Sequence, residues 1–363
     1  MIALFYILGF LIVLLVMSFT VLRYRMNGLW SYTIIQASKA YRSNKLLHLL
    51  GRSTTDRKLP PGLPHLDTVE AVSCRAVRVL GLNPGSHTLQ GTNTYLLGTS
   101  HEKILVDTGE DVTSEKYVDH LFDVVFPTTG TTAIKHILLT HGHMDHQGGV
   151  KSILAQCKVR NMNLPTIHKK NVPHGSYPCK GFEAEHIEDR AVYEVEGATV
   201  QAVYTPGHTD DHVAFVLKED EALLSGDCVL GCGTAVFDDL HTYMKSLALL
   251  RSLFTTNDSV SSVVRRIYPG HGPVISDSAV EKIDEYVHHR NLRETQIRDF
   301  LVGSNNIWNS SWEVMTAVYP NLPVHVKVSA QWNTLHHLEK LCKDGMVETM
   351  WPDLWRVKKV KDY

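Results

Sequence analysis

The sequence predicts a large α/β domain followed by a small, mostly helical accessory domain, and three observations carry that prediction. Short β-branched runs alternate with helical stretches through the middle of the chain. One apolar run empties directly into a cluster of histidines and a carboxylate. The length of 363 residues leaves room for a second, smaller domain after the first. Composition is that of an ordinary globular protein, with 36 Lys and Arg against 38 Asp and Glu. No global basicity advertises nucleic acid, so any such binding has to come from a local patch.

Met1 to Leu22 carry no charge and are dominated by Ile, Leu, Val, Phe and Met. At about 1.5 Å per residue a helix of this length spans roughly 30 Å of hydrocarbon. No basic residue precedes the stretch and Arg23 and Arg25 follow it, which predicts an uncleaved membrane anchor over residues 1–22. Lys39, Arg42, Lys45 and Arg52 come before the first acidic residue, Asp56, and this places the body of the chain on the cytosolic face of the membrane. The alternative is a cleaved targeting segment, because basic, acid-poor stretches also mark mitochondrial presequences and would lead to the matrix.

Residues 23–67 read as a basic linker that ends in the breaker cluster Pro60, Pro61, Gly62 and Pro64. The main domain is expected over 68–290. Its strand candidates are Ala76 to Leu80, Asn93 to Leu97, Lys103 to Asp107, Ile134 to Thr140, Thr199 to Tyr204, Val213 to Leu217, Ala222 to Ser225 and Val263 to Tyr268. Helices are expected over Ser114 to Phe126, after Gly148 and Gly149 through Lys158, and over Leu240 to Phe254. A helical pattern from Ser276 to Leu301 leads to residues 291–363. There, Ser311 to Ala317, Val326 to Lys343 and a strand-like tail make a winged-helix-like unit. The tail carries Arg356, Lys358, Lys359 and Lys361, a pattern more often a solvated end than a nucleic-acid contact. The six cysteines show no framework of close pairs and read as reduced thiols.

The chemistry is concentrated in Thr140-His141-Gly142-His143-Met144-Asp145-His146. Three imidazoles and a carboxylate in so short a loop are the ligands of a metal centre, and one loop does not complete two coordination shells. Three further residues follow strand candidates beside glycines: His208 in Thr205-Pro-Gly-His, Asp227 in Ser225-Gly-Asp, and His271 in Tyr268-Pro-Gly-His-Gly. We expect His141, His143 and His208 to hold one ion, Asp145, His146 and His271 a second, and Asp227 to bridge them. Imidazole and carboxylate suit zinc, and the same ligands take Mn or Fe. Two such ions share a water made acidic, and the expected chemistry is hydrolysis by that bridging hydroxide, with Asp145 and Asp227 as the catalytic carboxylates. Asp107, at the end of its strand, is the candidate to hold a ligating histidine by its free N–H. His212 has the right type, but the ligand set is complete without it.

These elements, in this order, resemble the metallo-β-lactamase superfamily over about residues 70 to 300, on Asp107, the His141 to His146 run, His208, Asp227 and His271. That resemblance implies an αβ/βα sandwich with the metals at one edge of the two sheets. Thr88-Leu-Gln-Gly-Thr-Asn-Thr-Tyr95, Tyr204-Thr-Pro-Gly-His-Thr-Asp-Asp-His212, Ser225-Gly-Asp-Cys-Val-Leu-Gly231 and Ile267-Tyr-Pro-Gly-His-Gly-Pro-Val-Ile275 resemble the animal β-lactamase-like endoribonucleases of the lactamase-beta-2, glyoxalase II-like type. This branch implies cleavage of single-stranded RNA, a mitochondrial setting and a C-terminal winged-helix-like domain. Asn93 and Tyr95 are then candidate substrate contacts. The chain departs from the family at Gly142, where a Trp is usual, and at Met144, where an Arg is usual. Similar fungal relatives cleave acyl groups from carrier proteins with the same loop, so a thioesterase or other acyl hydrolase is the competing expectation.

Overall fold

The computed structural model describes residues 62–173, 175–254 and 264–358, together with Leu29, Tyr32 and Leu59. The chain divides into two compact units, one covering Thr54–His288 and the other containing His289–Tyr363.

In the first unit β1 (Val69–Ala71), β2 (Ala76–Leu80), β3 (Asn93–Leu97), β4 (Glu102–Val106), β5 (Ala133–Leu138), β6 (Thr166–Lys169) and β7 (Glu185–His186) form one sheet in sequence order. Pairing is antiparallel from β1 to β4 and parallel from β4 to β7. The change of sense follows from the connections. Short turns join the early strands, whereas a helical crossover, α1 (Ser114–His120) prolonged through Leu121–Val125 and Phe126–Thr129, returns the chain from β4 to β5. After β5, α2 (Met144–Gln147) and α3 (Val150–Val159) make the next crossover.

The second sheet has the order β12-β11-β10-β9-β8, from β8 (Val192–Val195), β9 (Ala198–Tyr204), β10 (Val213–Leu217), β11 (Ala222–Gly226) and β12 (Arg266–Pro269). The crossover from β11 to its parallel neighbour β12 contains α4 (Leu240–Ser252). The division between the two units falls within α5 (Ala279–Gly303).

Side-chain alternation along each strand explains the layering. Tyr95, Leu97, Ile104 and Val106 pack with Ala202, Val213, Phe215 and Leu224 in a core between the two sheets. The intervening Leu96 and Leu105 face the other way and pack against Tyr117, Val118 and Ile153 of the helices. On the far side Val203, Ala214 and Leu223 pack against Tyr243, Leu247 and Ile283. Both sheets are therefore apolar on two faces and each is covered by helices, the αβ/βα sandwich. Each fully buried Leu, Val or Phe contributes about 1.5–3 kcal/mol by leaving water.

The second unit contains α6 (Ser311–Val318), α7 (Val324–Lys343) and a three-stranded sheet of β13 (Asn309–Ser310), β14 (Val347–Met350) and β15 (Leu354–Val357) in the order β13-β15-β14. Ser310 caps α6 reciprocally with Glu313. Leu335, Leu338 and Leu341, one face of α7, pack with Ile297, Leu301, Val314, Val347 and Trp355. This is the helix, helix, helix and hairpin arrangement of a winged helix.

The expectation of a membrane-anchored protein with its catalytic domain facing the cytosol is corrected here. Among the described residues no helix is long and apolar enough to cross a membrane. The 25-residue α5 has the length, but it is interrupted by charges from Glu281 to Asp299. The segment 1–22, on which the expectation rested, lies outside the described residues, as does nearly all of the linker 23–67.

Candidate metal centre

Every ligand expected from the sequence is delivered by the C-terminal end of a strand or the loop that follows it. Beyond β5 the chain is pinned from both sides: Leu139 N–H donates to the His168 carbonyl and Val213 N–H to that of Thr140, at 3.0 and 2.7 Å. His141 and His143 then follow, His143 on extended backbone, and α2 starts at once and brings Asp145 and His146 round. The loop after β9 closes on itself through Thr205 N–H to the His212 carbonyl and presents His208. Asp227 leaves the end of β11 and His271 the end of β12. Gly270 N–H donates to the Gly226 carbonyl, so these last two loops are tied side by side.

The ligand atoms converge in two sets. In the first, His141 Nε2, His143 Nδ1 and His208 Nε2 lie 2.9, 3.1 and 3.2 Å from one another, with Asp227 Oδ2 3.6 Å from His208 Nε2. In the second, His146 Nε2 and His271 Nε2 are 3.3 Å apart and stand 3.4 and 3.2 Å from Asp145 Oδ2. Asp227 Oδ1 is 3.3 Å from each of these two nitrogens. Four ligands at about 2.05 Å from a tetrahedral ion lie about 3.3 Å apart, and both sets have close to that spacing. The two oxygens of Asp227 face different sets, as a bridging carboxylate requires.

Hydrogen bonding gives an independent test of fit. His208 Nδ1 donates to the Val236 carbonyl at 2.8 Å, and His271 Nδ1 points to the Gly91 carbonyl at 3.3 Å. Thr140 Oγ1 donates to Asp107 and accepts from His141 Nδ1 at 3.0 Å. His146 Nδ1 donates to Asp107 Oδ2 at 2.7 Å. With the outer nitrogens carrying the protons, the neutral rings turn bare lone pairs towards one another. Those of His141 and His208 are 3.2 Å apart, a repulsive contact that a cation between them makes attractive. Asp227 Oδ1 is buried, and its near neighbours are His146 and His271 Nε2 at 3.3 Å, longer than a good hydrogen bond. A cation among the three atoms would satisfy them together, so the residues present fit metal ions.

The electrostatics divide the same way. Burial pushes His141, His143 and His212 below the ordinary histidine range, reinforced by neighbouring imidazoles, and His143 falls to about 3. In the second set burial also disfavours charge, but Asp227 and Asp145 outweigh it; His146 is raised, helped by Asp107, and His271 rises to about 10. Burial would raise Asp145 and Asp227, yet the charges of His146 and His271 hold both carboxyls well below their usual range. The metal-free centre therefore keeps protons on the second set, which metal ions displace on binding.

Asp107 is where the sequence places it and does more than expected. It receives Thr140 N–H at Oδ1 and both Thr140 O–H and His146 Nδ1–H at Oδ2. Its φ of 59° is unusual for a residue with a side chain, and these three bonds hold it there. His212, set aside in the sequence because the ligand set was full, is part of the support. Its Nε2 accepts Asp227 N–H at 3.2 Å, and its Nδ1 donates to Thr205 Oγ1 at 2.9 Å. Gly226 makes room for it, since a Cβ there would lie 2.7 Å from His212 Nε2. The signal for His212 was its place in the same closed loop as His208.

Asn93 and Tyr95 are corrected. Both are buried in β3, and both point to the loop carrying His271. Asn93 Nδ2 donates to the Pro269 and Gly272 carbonyls at 2.8 Å, and Tyr95 O–H donates to the Pro269 carbonyl at 2.9 Å. They position a ligand loop and offer no surface to a substrate. Gly142 has a reason in the fold: a Cβ there would come within 2.5 Å of Tyr177 Cβ and 2.9 Å of its carbonyl. The segment around Tyr177 crosses directly over the metal loop, and its ring meets that of His143 edge to face at 4.9 Å.

Comparison with known proteins agrees with this geometry. The family described as Metallo-beta-lactamase superfamily matches residues 87–313, and the Beta-lactamase associated winged helix domain matches 310–350. A Caenorhabditis elegans protein named Beta-lactamase-like protein 2 homolog is 44% identical over 294 residues, 79% of this chain and 91% of its own length. Its Drosophila melanogaster namesake is 42% identical over 286 residues, 77% and 92% of the two chains. An Aspergillus fumigatus protein named Atrochrysone carboxyl ACP thioesterase is 37% identical over 279 residues, 73% and 79% of the two chains. The solved structure of a Beta-lactamase domain protein from Burkholderia ambifaria superposes with a TM-score of 0.64 at 16% identity, over 82% of this chain and 96% of that one, a likeness of fold.

Proposed function

The chain belongs to the metallo-β-lactamase superfamily as a hydrolase of that fold, and from this premise we propose that it is a two-metal endoribonuclease acting on single-stranded RNA. The observation that carries the reading is the division of Asp227 between the two ligand sets, Oδ1 at 3.3 Å from His146 and His271 and Oδ2 at 3.6 Å from His208. Two divalent ions held side by side, here zinc, supply an acidified water and positive charge for the attacking and leaving oxygens of an in-line displacement at phosphorus. The similarity to the animal relatives, which extends over most of both chains, and the winged-helix unit favour this branch.

The protein's own groups orient and hold protons. His141, His143 and His208 would hold the first ion, and Asp145, His146 and His271 the second, with Asp227 offering one oxygen to each. Asp107, the Val236 carbonyl and the Gly91 carbonyl fix the rings of His146, His208 and His271, so their inward nitrogens need no reorientation. His212 fixes the backbone from which Asp227 projects. Asp145 has a side chain 23% exposed, against 11% for Asp227. It is placed to take the proton of the attacking water on the oxygen not turned towards His146 and His271.

The second reading, an acyl-carrier thioesterase, is favoured by the fungal relative of that name. One experiment separates them: the purified, zinc-loaded protein is given fluorescent single-stranded RNA and an acyl thioester in parallel, with His143→Ala as control. RNA cleavage that the variant lacks supports the proposal. Turnover of the thioester while the RNA stays whole overturns it in favour of the second reading.

A further inference from the structure

Beside the metal centre is a cavity of about 720 Å³ whose lining includes Val172, Tyr177 and Phe182 together with Lys169 and Asp211. It contains none of the ligands, but it shares a wall with them. Tyr177 lines the cavity, and the same ring meets His143 edge to face at 4.9 Å. Tyr177 thus borders both the cavity and the His143 ring.

Three features fix what the cavity accepts. Its volume is within the range of about 300–1,000 Å³ that takes a small organic group. Its walls provide two aromatic rings, Tyr177 and Phe182, suited to a planar guest. Its charge disfavours an anion, because among the described residues of the lining Glu183, Asp210 and Asp211 stand against one cation, Lys169, and Lys169 is already engaged by Asp211 and by the Tyr177 carbonyl at 2.6 Å. A phosphate is repelled there, whereas a neutral planar group with N–H donors at its edge finds acceptors. Asp210 Oδ1, which accepts no hydrogen bond, is one of them.

The wall is also built as a rigid piece. Tyr177 O–H donates to Asp238 Oδ2 at 2.7 Å, on the loop that carries the Val236 carbonyl holding His208. Gly142 is what lets the ring come this close to the metal loop. The aromatic surface that the family usually carries at position 142 is thus supplied from a different loop.

We infer that this cavity is a nucleobase subsite, in which the base of a nucleotide next to the scissile phosphate stacks on Tyr177; the inference rests on the endoribonuclease reading. The test uses the full zinc-loaded protein and short single-stranded RNAs carrying one abasic nucleotide at successive positions beside the cut. At one position, loss of the base lowers the wild-type kcat/KM by about 5- to 150-fold, the range of aromatic stacking on a base. Tyr177→Leu, which keeps bulk and removes the ring, gives the same loss on intact RNA and no further loss at that position. Tyr177→Phe, which keeps the ring and gives up only the bond to Asp238, recovers most of the activity lost in the Leu variant. Equal losses from Tyr177→Leu on every substrate, abasic ones included, or a Phe variant as impaired as the Leu variant, overturn the subsite and leave the nuclease standing. If the wild type cuts no RNA, the nuclease reading fails and the subsite with it, and this is visible before any variant is made.

Discussion

Replacing Asp107 by Asn changes one oxygen to an amide nitrogen and reaches the metal centre through three hydrogen bonds. Oδ1 must go on accepting Thr140 N–H at 2.8 Å, so the amide nitrogen falls where Oδ2 now accepts from Thr140 Oγ1 and His146 Nδ1. Donor then meets donor at His146, while the Thr140 hydroxyl has to turn and accept from the amide instead of donating to it. Flipping the amide relieves this and loses the backbone bond instead. A bond to a charged acceptor contributes about 1.5–3 kcal/mol, so the metal-free fold is expected to lose about that much. His146 also loses the partner that keeps its proton on Nδ1, and such losses typically lower metal affinity about 10- to 100-fold. The effect falls mainly on the second set, because His208 is held by the Val236 carbonyl and His141 is reached only indirectly, through Thr140 Oγ1. Titration of the chelated protein with zinc against a competing indicator is expected to show one site near wild-type affinity and one weakened. Two sites of unchanged affinity, or equal weakening of both, would refute the assignment of Asp107 to His146.

The metal-free protein is expected to be most stable near pH 6.5 and to weaken on both sides. Burial keeps His141, His143 and His212 neutral, with folded pKa values below the unfolded one; that stability is present above about pH 6.5 and is lost as pH falls towards 3. His146 and His271 are raised, so theirs is present below about pH 6.5 and is lost as pH rises through the His271 value of about 10. Urea melts of the chelated protein across pH test this, and a curve that rises steadily towards alkali would contradict it. Gly142→Ala is expected to cost about 1–3 kcal/mol by driving a Cβ into Tyr177, with Tyr177→Gly recovering only the part due to the Tyr177 Cβ in the double variant, because the Tyr177 carbonyl stays at 2.9 Å. Additive losses in thermal melts would sink that coupling.

Much of the centre was legible because its chemistry is carried by local strings. The His141 to His146 run, and the glycine-flanked His208, Asp227 and His271, each follow a strand that the apolar pattern marks out. The expected strands that the structure describes are present, with ends shifted by up to three residues. Asp107, expected as the last residue of its strand, instead follows directly after it with a positive φ. What the sequence hid depends on contacts between distant residues. β6 is Thr-Ile-His-Lys, with no apolar run; its Lys169 is buried only because Asp211, 42 positions on, meets it. β8 is a half-exposed edge strand without a clean alternation. Asn93 and Tyr95 looked like substrate contacts because an amide donor and an aromatic ring are what a nucleic-acid groove uses, and only the fold shows both turned towards Pro269, with Asn93 also bound to Gly272. His212 was passed over because a count of ligands says nothing of what holds a ligand's backbone in place.

The central claim is that Asp227 joins two ion sites into one centre. A crystal of the zinc-loaded protein measured at the zinc absorption edge tests it most directly. The account predicts two anomalous peaks about 3.5–4 Å apart, one beside His141, His143 and His208 and the other beside Asp145, His146 and His271, with one oxygen of Asp227 on each. A single peak, or two peaks with Asp227 bound to neither or to only one, would contradict it.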